Sequence, residues 1–209
     1  MMKTQAIKWC ATVVCVASLG SLLSACVPLV IGGAAVGGAL VATDRRTSGT
    51  QLEDEGIELR ALGRINENLG SRVHVNVTSY NRQVLLSGEV PSAQDKQLVE
   101  QIVSRVENVR TVANELAVLG ASSLTQRSSD SLITGKVKAA MVDSKDLFAN
   151  AFKVVTERGI VYLMGRVTQR EANRATDIAR STGGVQKVVR LLQIISEEEL
   201  QRTLPAAKS

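Results

Sequence analysis

Aromatic residues are scarce in this sequence, since Phe, Trp and Tyr together make up 2% of it. A core built with so few of them must rely on valine, leucine, isoleucine and alanine, which suits strands and helices better than an aromatic-lined ligand cavity. Cysteine is also rare, because Cys10 and Cys15 lie in an apolar N-terminal segment and only Cys26 follows it. A disulfide framework, a cysteine-based zinc cluster and a cysteine nucleophile are therefore excluded.

The side chains that usually perform catalysis are also few. The single histidine, His74, alternates outward on a predicted strand and is interpreted as solvent-exposed. No glycine-rich phosphate loop follows a strand, and no group of His, Asp and Glu has the spacing of metal ligands along the chain. Because catalysis needs positioned acids, bases or nucleophiles, the sequence predicts a protein that is not an enzyme and has no metal site or cofactor.

The first 26 residues have the pattern of an export signal. Lys3 and Lys8 precede an apolar run over residues 9–23, and Leu-Ser-Ala-Cys follows at residues 23–26. A positive start, an apolar middle and small residues before a cleavage point are typical of a secretory signal. A cysteine directly after the small residues resembles a bacterial lipobox, which implies cleavage before Cys26, a diacylglycerol thioether on its thiol and acylation of the new amine. The alternative is an ordinary signal with a chance cysteine.

No other segment contains the ~18 to 20 apolar residues that a bilayer-spanning helix requires. Residues 27–43, which are rich in Gly and Ala, come nearest. We interpret residues 26–50 as a lipidated tether near the lipid surface, in preference to a membrane span or a segment docked on a protein. An exported lipoprotein would not meet the genome, and the basic residues lack the interleaved aromatics that stack on bases, so nucleic acid is excluded as a partner despite a pI near 9.3.

The chain contains an internal repeat, which predicts two domains of one fold. Residues 84–90 (VLLSGEV) match residues 161–167 (VYLMGRV) at an offset of 77. Each copy reads helix, strand, strand, helix, strand, which predicts an α+β fold with a three-stranded mixed sheet and two helices on one face. The predicted domains cover residues 51–120 and 128–196, with a linker over 121–127 and a solvated tail over 197–209.

Local signals predict where several elements begin. The first helix of each copy is expected to start near Leu52 and near residues 129–131, with Glu53, Asp54 and Glu55 in the first turn of the earlier one. The strands that flank the second helix should be parallel. Gly88 and Gly165 lie within strands, where glycine is unfavourable unless something approaches closely, and we expect a covering helix there.

Both copies carry an apolar-Xaa-apolar-Xaa-Gly-Xaa-Val pattern before the second helix, which resembles BON domains. With the lipobox, the tether, Ala-Thr-Asp-Arg-Arg at residues 42–46 and especially residues 161–172, the chain is similar to dual BON-domain outer-membrane lipoproteins. The resemblance implies an outer-membrane lipoprotein that faces the periplasm, supports envelope integrity and binds anionic phospholipid through its second domain. Val27 after the lipidated cysteine is similar to lipoproteins sorted to the outer membrane. Leu132 stands where such proteins can carry a membrane-facing Trp.

Charge is distributed unequally between the two copies. Residues 51–120 carry ten acidic and seven basic residues, whereas residues 128–195 carry six acidic and eleven basic residues. A basic surface near an anionic leaflet gains roughly 1 kcal/mol per Lys or Arg. The second domain is therefore predicted to bind anionic phospholipids such as phosphatidylglycerol and cardiolipin, and its first helix with the following loop is the predicted surface: Leu132, Ile133, Lys136, Lys138, Lys145, Leu147 and Phe148. Leu132 either inserts into lipid or widens the core stripe of that helix.

One sheet face of the second copy is unusually apolar. Gln83, Leu85, Ser87 and Glu89 occupy this face in the first copy, and their counterparts are Ile160, Tyr162, Met164 and Arg166. An uncovered apolar row is unfavourable in water. We expect Ile160, Tyr162 and Met164, with Leu85, to form an interface between the domains or with a protein partner.

Two functions are consistent with these patterns. The first is a membrane-surface module that binds anionic phospholipid at the outer membrane. The second is an adaptor that contacts outer-membrane assembly machinery, or cell-wall and division factors, with incidental lipid contact.

Overall fold

The computed structural model describes residues 44–203. The predicted signal segment, Cys26, most of the predicted tether and the last six residues of the predicted tail lie outside the described residues. Among the residues described, no helix combines the length and the apolar character that crossing a membrane requires.

The first domain is a sheet with two helices on one face. Its elements are α1 (Ser48–Leu69), β1 (His74–Tyr80), β2 (Gln83–Val90), α2 (Ala93–Ser104), β3 (Thr111–Asn114) and β4 (Ala117–Val118). Strand β1 is antiparallel to β2, whereas β3 and β4 are both parallel to β2. The single strand predicted at the end of this domain is therefore divided into two short strands, β3 and β4. Apolar side chains from the helices and from one face of the sheet form the core, among them Ile57, Ile65, Leu86 and Val99.

The second domain repeats this order. Its elements are α3 (Leu124–Asp143), β5 (Phe152–Glu157), β6 (Ile160–Thr168), α4 (Gln169–Ser181) and β7 (Lys187–Ile195). Strand β5 is antiparallel to β6, and β7 is parallel to β6. Helices α3 and α4 cover one face of the sheet around a core that includes Val137, Met141, Leu163 and Ala175. The predicted fold class, two tandem α+β domains with mixed sheets, is confirmed.

Both first helices begin earlier than predicted. The Thr47 hydroxyl accepts a hydrogen bond from the Thr50 amide and caps α1, while the Ser123 hydroxyl accepts from the Gln126 amide and caps α3. Ser and Thr satisfy the free amides of a helix start, so these upstream residues set the boundary. Residues 48–50 thus belong to a helix and not to the tether, and residues 124–127 are helical and not a linker. The acidic residues at 53–55 lie beyond the first turn.

The start of the predicted solvated tail is a further short helix, α5 (Glu197–Thr203). Its first turn carries three glutamates, which the helix macrodipole favours at an N-terminus. Leu200 is buried, and Glu199 forms an ion pair with Arg166 of β6. The prediction of a solvated tail was wrong for these residues because Leu200 packs onto the domain.

The strand glycines make room for a neighbouring strand and not for a helix. A Cβ atom at Gly88 would lie 2.2 Å from the carbonyl oxygen of His74, and one at Gly165 would lie 2.5 Å from that of Ala151. Gly88 also has a φ of 107°, a backbone conformation that residues other than glycine rarely adopt. The expectation of a close helix was therefore wrong, and backbone crowding at the first hairpin of each domain explains the glycines.

One buried aspartate in each domain holds the turn of the hairpin. Asp54 of α1 and Asp130 of α3 are 2% and 3% exposed. Each carboxylate accepts hydrogen bonds of 2.7–2.8 Å from two consecutive backbone amides in a turn with positive φ. The amides belong to Asn81 and Arg82 in the first domain and to Arg158 and Gly159 in the second.

Replacing Asp130 by Ala should lower the free energy of unfolding by about 3 kcal/mol, because one buried and one partly buried turn amide lose a charged acceptor. Urea denaturation followed by circular dichroism measures this change. Asp143→Ala is the matched control, since Asp143 is an exposed aspartate at the end of the same helix, and its effect should stay within about 0.5 kcal/mol. Equal effects of the two variants would contradict the proposed role of Asp130.

Candidate functional site

Helix α3 presents apolar and basic side chains to solvent on the side away from its core stripe. Leu132 is 67% exposed and Val142 is 68% exposed, and Lys136 and Lys138 are exposed as well. Leu132 therefore points outward and does not widen the core. Ile133 is 5% exposed and packs in the core of the second domain, so its assignment to lipid contact was wrong.

The loop after α3 contributes one apolar side chain and one basic side chain. Phe148 is 50% exposed, and Lys145 is exposed. Leu147 is 9% exposed and belongs to the core cluster, so its assignment to lipid contact was also wrong. Adjacent apolar residues in a loop point in different directions, which a linear sequence does not reveal.

We call the resulting group of exposed side chains the α3 surface. It consists of Leu132, Lys136, Lys138, Val142, Lys145 and Phe148. Sequence reasoning missed Val142, although its position four residues after Lys138 places both on one side of the helix.

The charge of the α3 surface is positive because two of its three neighbouring acids, Asp44 and Asp146, are already paired with arginines. The Asp146 carboxylate lies 3.2 Å from the Arg174 guanidinium, and the Asp146 carbonyl accepts a hydrogen bond from Arg170. Hydrogen bonds from Ser144 and Arg174 lower the pKa of Asp146 below its usual value of 3.8. Asp143 remains to oppose the three lysines.

The described chain begins beside the α3 surface. Asp44 lines a cavity of about 400 Å³ together with Lys138, Val142 and Asn150. Cys26 lies 18 residues earlier in the sequence, a distance that an extended chain spans with at most about 65 Å. The chain therefore enters the described fold beside the α3 surface.

Arg45 binds the second domain through a buried, two-pronged ion pair. Its Nη2 and Nη1 atoms lie 2.7 and 2.8 Å from the two carboxylate oxygens of Glu171, and Nη1 also donates to the Arg166 carbonyl. The Glu171 carboxylate also accepts the Thr168 amide and completes the capping box of α4. Burial favours a raised pKa for Glu171, but the bonds from Arg45 and Thr168 outweigh it, so the pKa is lowered from 4.5 and the group stays ionised.

Arg46 binds the first domain. Its guanidinium lies 2.8 Å from the Asp54 carboxylate and 2.7 Å from that of Asp44, and it stacks over the Tyr80 ring at 4.3 Å from the ring centre. Two consecutive arginines thus hold one domain each. Sequence reasoning noted Arg45 and Arg46 only as part of a resemblance. Their structural role could have been suspected from their position, because they are adjacent arginines between a Gly/Ala-rich segment and a helix.

The two sheets pack against each other through the faces that lack helices. Tyr80 and Leu85 of the first domain and Tyr162 and Met164 of the second form one buried cluster, with Ile160 packed against it. The apolar row of β6 is therefore covered by the first domain. Polar bonds border the cluster, including Asn81 to Gln193 at 2.6 Å and Lys153 to Glu58 at 2.7 Å.

Two residues differ from the sequence-based interpretation. His74 is half-buried and its Nδ1 atom lies 2.8 Å from Glu89 Oε2, so the prediction of a solvent-exposed histidine was wrong. Asp130 lies in the segment where α3 was expected to begin, but it is inside the helix and its carboxylate is buried against the hairpin turn. In both cases the partner is distant in sequence and becomes close only in the folded domain.

Replacing Arg45 by Ala should lower the free energy of unfolding by about 3 kcal/mol, because it leaves the buried Glu171 carboxylate without its cation. Urea denaturation measures the change. Arg180→Ala is the control, because Arg180 is an exposed arginine in α4. Its replacement should change the free energy of unfolding very little. A loss no larger than that of the control would show that the ion pair contributes no stability.

These features define a two-domain α+β protein in which an arginine pair and an apolar seam join the domains. The family model for the BON domain matches residues 53–120 and 129–196. The chain therefore belongs to the BON-domain family.

Among curated proteins, this chain is 41% identical over 175 residues to "Outer membrane lipoprotein DolP" of Haemophilus influenzae, covering 83% of this chain and 90% of the relative. It is 30% identical to "21 kDa hemolysin" of Actinobacillus pleuropneumoniae, over 73% of this chain and 79% of that protein. It is 28% identical to "Osmotically-inducible protein Y" of Escherichia coli, over 67% of this chain and 72% of that protein.

Proposed function

We propose that this protein is an outer-membrane lipoprotein, anchored through Cys26 and facing the periplasm, whose second domain binds anionic phospholipid through the α3 surface and supports outer-membrane integrity. Three findings support the proposal: the similarity to an outer-membrane lipoprotein over most of both chains, the lipobox at residues 23–26, and the composition of the α3 surface. No catalytic activity is included in the proposal.

The observation that carries lipid binding is the combination of exposed apolar side chains with lysines on one helix. Leu132 and Lys136 are one helical turn apart, and both are exposed. A buried leucine contributes about 1.5–3 kcal/mol, and each lysine near an anionic leaflet contributes about 1 kcal/mol. The geometry thus suits a helix that lies on the membrane with Leu132 in the headgroup boundary.

The corresponding helix of the first domain lacks these features. An offset of 76 places Gly56 at the position of Leu132 and Arg60 at that of Lys136. The Arg60 guanidinium is 2.7 Å from the Glu53 carboxylate, which neutralises it. This contrast supports a role for the second domain alone.

Vesicle binding tests the proposal. The described cores and ion pairs lie within residues 44–203, so a chain that starts at residue 27 retains them and has no acyl anchor. We expect it to co-sediment with vesicles that contain phosphatidylglycerol or cardiolipin, and to be released as salt screens the lysines. Leu132→Glu and Lys136→Glu should each weaken partitioning by about 2 kcal/mol, which is roughly thirtyfold.

Leu59→Glu provides the matched control for the vesicle experiment, because Leu59 is an equally exposed leucine (73%) on the first helix of the other domain. Its partitioning should equal that of the parent chain. Binding that survives both substitutions in α3 would exclude the α3 surface as the contact.

Lipidation at Cys26 is tested separately. Replacing Cys26 by Ala removes the thiol that takes diacylglycerol, so incorporation of labelled palmitate and recovery in the outer-membrane fraction should both be lost, because acyl chains supply the stable anchor. Cys15→Ala, within the signal segment, should leave both unchanged. Palmitate labelling that persists in Cys26→Ala would contradict the assignment.

A second candidate function, an adaptor for outer-membrane assembly, cell-wall or division machinery, rests on a different surface. Leu52 and Leu59 of α1 are 69% and 73% exposed and lie on the same side of the helix, two turns apart. Such a pair fits the hydrophobic groove of a protein partner. An absence of vesicle binding, together with loss of a cross-linked partner in Leu59→Glu, would favour the adaptor.

A further inference from the structure

A histidine and two glutamates from different strands meet where the two domains join. His74 and Glu89 lie opposite each other in the pairing of β1 with β2, and Glu157 ends β5 of the second domain. Each residue offers one potential ligand atom, and these three atoms all lie within 4.8 Å of one another. We propose that His74, Glu89 and Glu157 form a binding site for one divalent transition-metal ion of the Zn²⁺ class, which bridges the two domains.

The donor atoms and their spacing suit this class of ion. Zn²⁺ binds imidazole nitrogen and carboxylate oxygen at about 2.0–2.2 Å, which places tetrahedral ligand atoms about 3.4 Å apart. His74 Nδ1 and Glu89 Oε2 are 2.8 Å apart, and the widest separation in the group is within 4.8 Å. Small side-chain rotations would complete the site, because strand pairing already holds the backbones of His74 and Glu89.

The charge of the cluster favours a cation. The Glu89 side chain is 1% exposed, and Glu157 is 7% exposed. The Glu157 carboxylate accepts a hydrogen bond from the Asn76 side chain at 2.9 Å, and a neutral amide does not offset its negative charge. The Arg158 guanidinium approaches Oε1 of Glu89 at 3.4 Å, while Oε2 faces the histidine and also accepts the Ser122 amide at 3.1 Å.

A cavity gives access to the cluster. It has a volume of about 440 Å³ and is lined on one side by His74, Asn76 and Glu157 and on the other by residues of α3, including Ser131 and Thr134. A three-ligand site with an open side leaves a coordination position for water.

A second observation points to the same place. Ser87 is fully buried, and its hydroxyl has no hydrogen-bond partner among residues 44–203. It lies two residues before Glu89 on β2 and opposite Asn76 in the strand pairing, so all three residues share one face of the sheet. Buried polar groups are rarely unpaired without a reason, and a water carried by the ion is a suitable partner for this hydroxyl.

An ion at this position would couple the domains, because two ligands come from the first domain and one from the second. Its binding should therefore stabilise the whole fold in proportion to its affinity.

Calorimetric titration of the chain from residue 27 with ZnCl₂, without any affinity tag, tests the site. This chain has no cysteine and only one histidine, so few competing zinc sites exist. We expect one ion per chain and a rise in melting temperature of about 5 to 10 °C at a hundredfold excess over the dissociation constant. Glu157→Gln and His74→Gln should each weaken binding at least tenfold.

Both substitutions retain hydrogen-bonding atoms, so the variants should fold, and circular dichroism with thermal unfolding in the absence of metal checks this. Glu67→Gln, at an exposed glutamate of α1, should bind Zn²⁺ like the parent chain. Absence of binding at millimolar ZnCl₂, or affinities unchanged in both cluster variants, would overturn the proposal and leave the three residues as a hydrogen-bonded group of the interface.

Discussion

Two adjacent arginines hold the architecture of this protein together. Arg45 reaches the buried Glu171 carboxylate at the start of α4, and Arg46 reaches the buried Asp54 carboxylate of α1. A buried carboxylate is costly unless it is paired, so neither domain is electrostatically complete without the short segment that precedes α1. That segment therefore supplies a charged partner to each domain and fixes where the chain enters the fold.

The orientation of the second domain follows from this constraint. The apolar cluster around Leu85 and Tyr162 packs the two sheets together, while the arginines hold the entering chain at Asp44 beside Val142. The chain thus enters the fold beside the α3 surface. If the proposed acyl anchor is present, it supplies stable anchoring by itself, and the lysines of α3 are then better suited to selecting a lipid environment than to holding the protein on a membrane.

Sequence patterns predicted much of the fold and part of the surface. The repeated order of elements follows from short-range rules of hydrophobic periodicity and turn chemistry. The errors at Ile133 and Leu147 have a common cause, because a surface was assigned from neighbours in sequence, whereas burial depends on the direction of each side chain. Leu132 and Phe148, one position away in each case, are the exposed members of these pairs.

The sequence by itself determined the two-domain α+β repeat and the excess of basic residues in the second copy, because each is a property of composition or local periodicity. Only the tertiary structure decided which residues meet. Arg45 and Glu171 are 126 positions apart, and His74 reaches Glu157 only after two hairpins form and their sheets dock. Local patterns record which side of an element is buried, but pairing across domains depends on strand register and docking, which no short segment encodes.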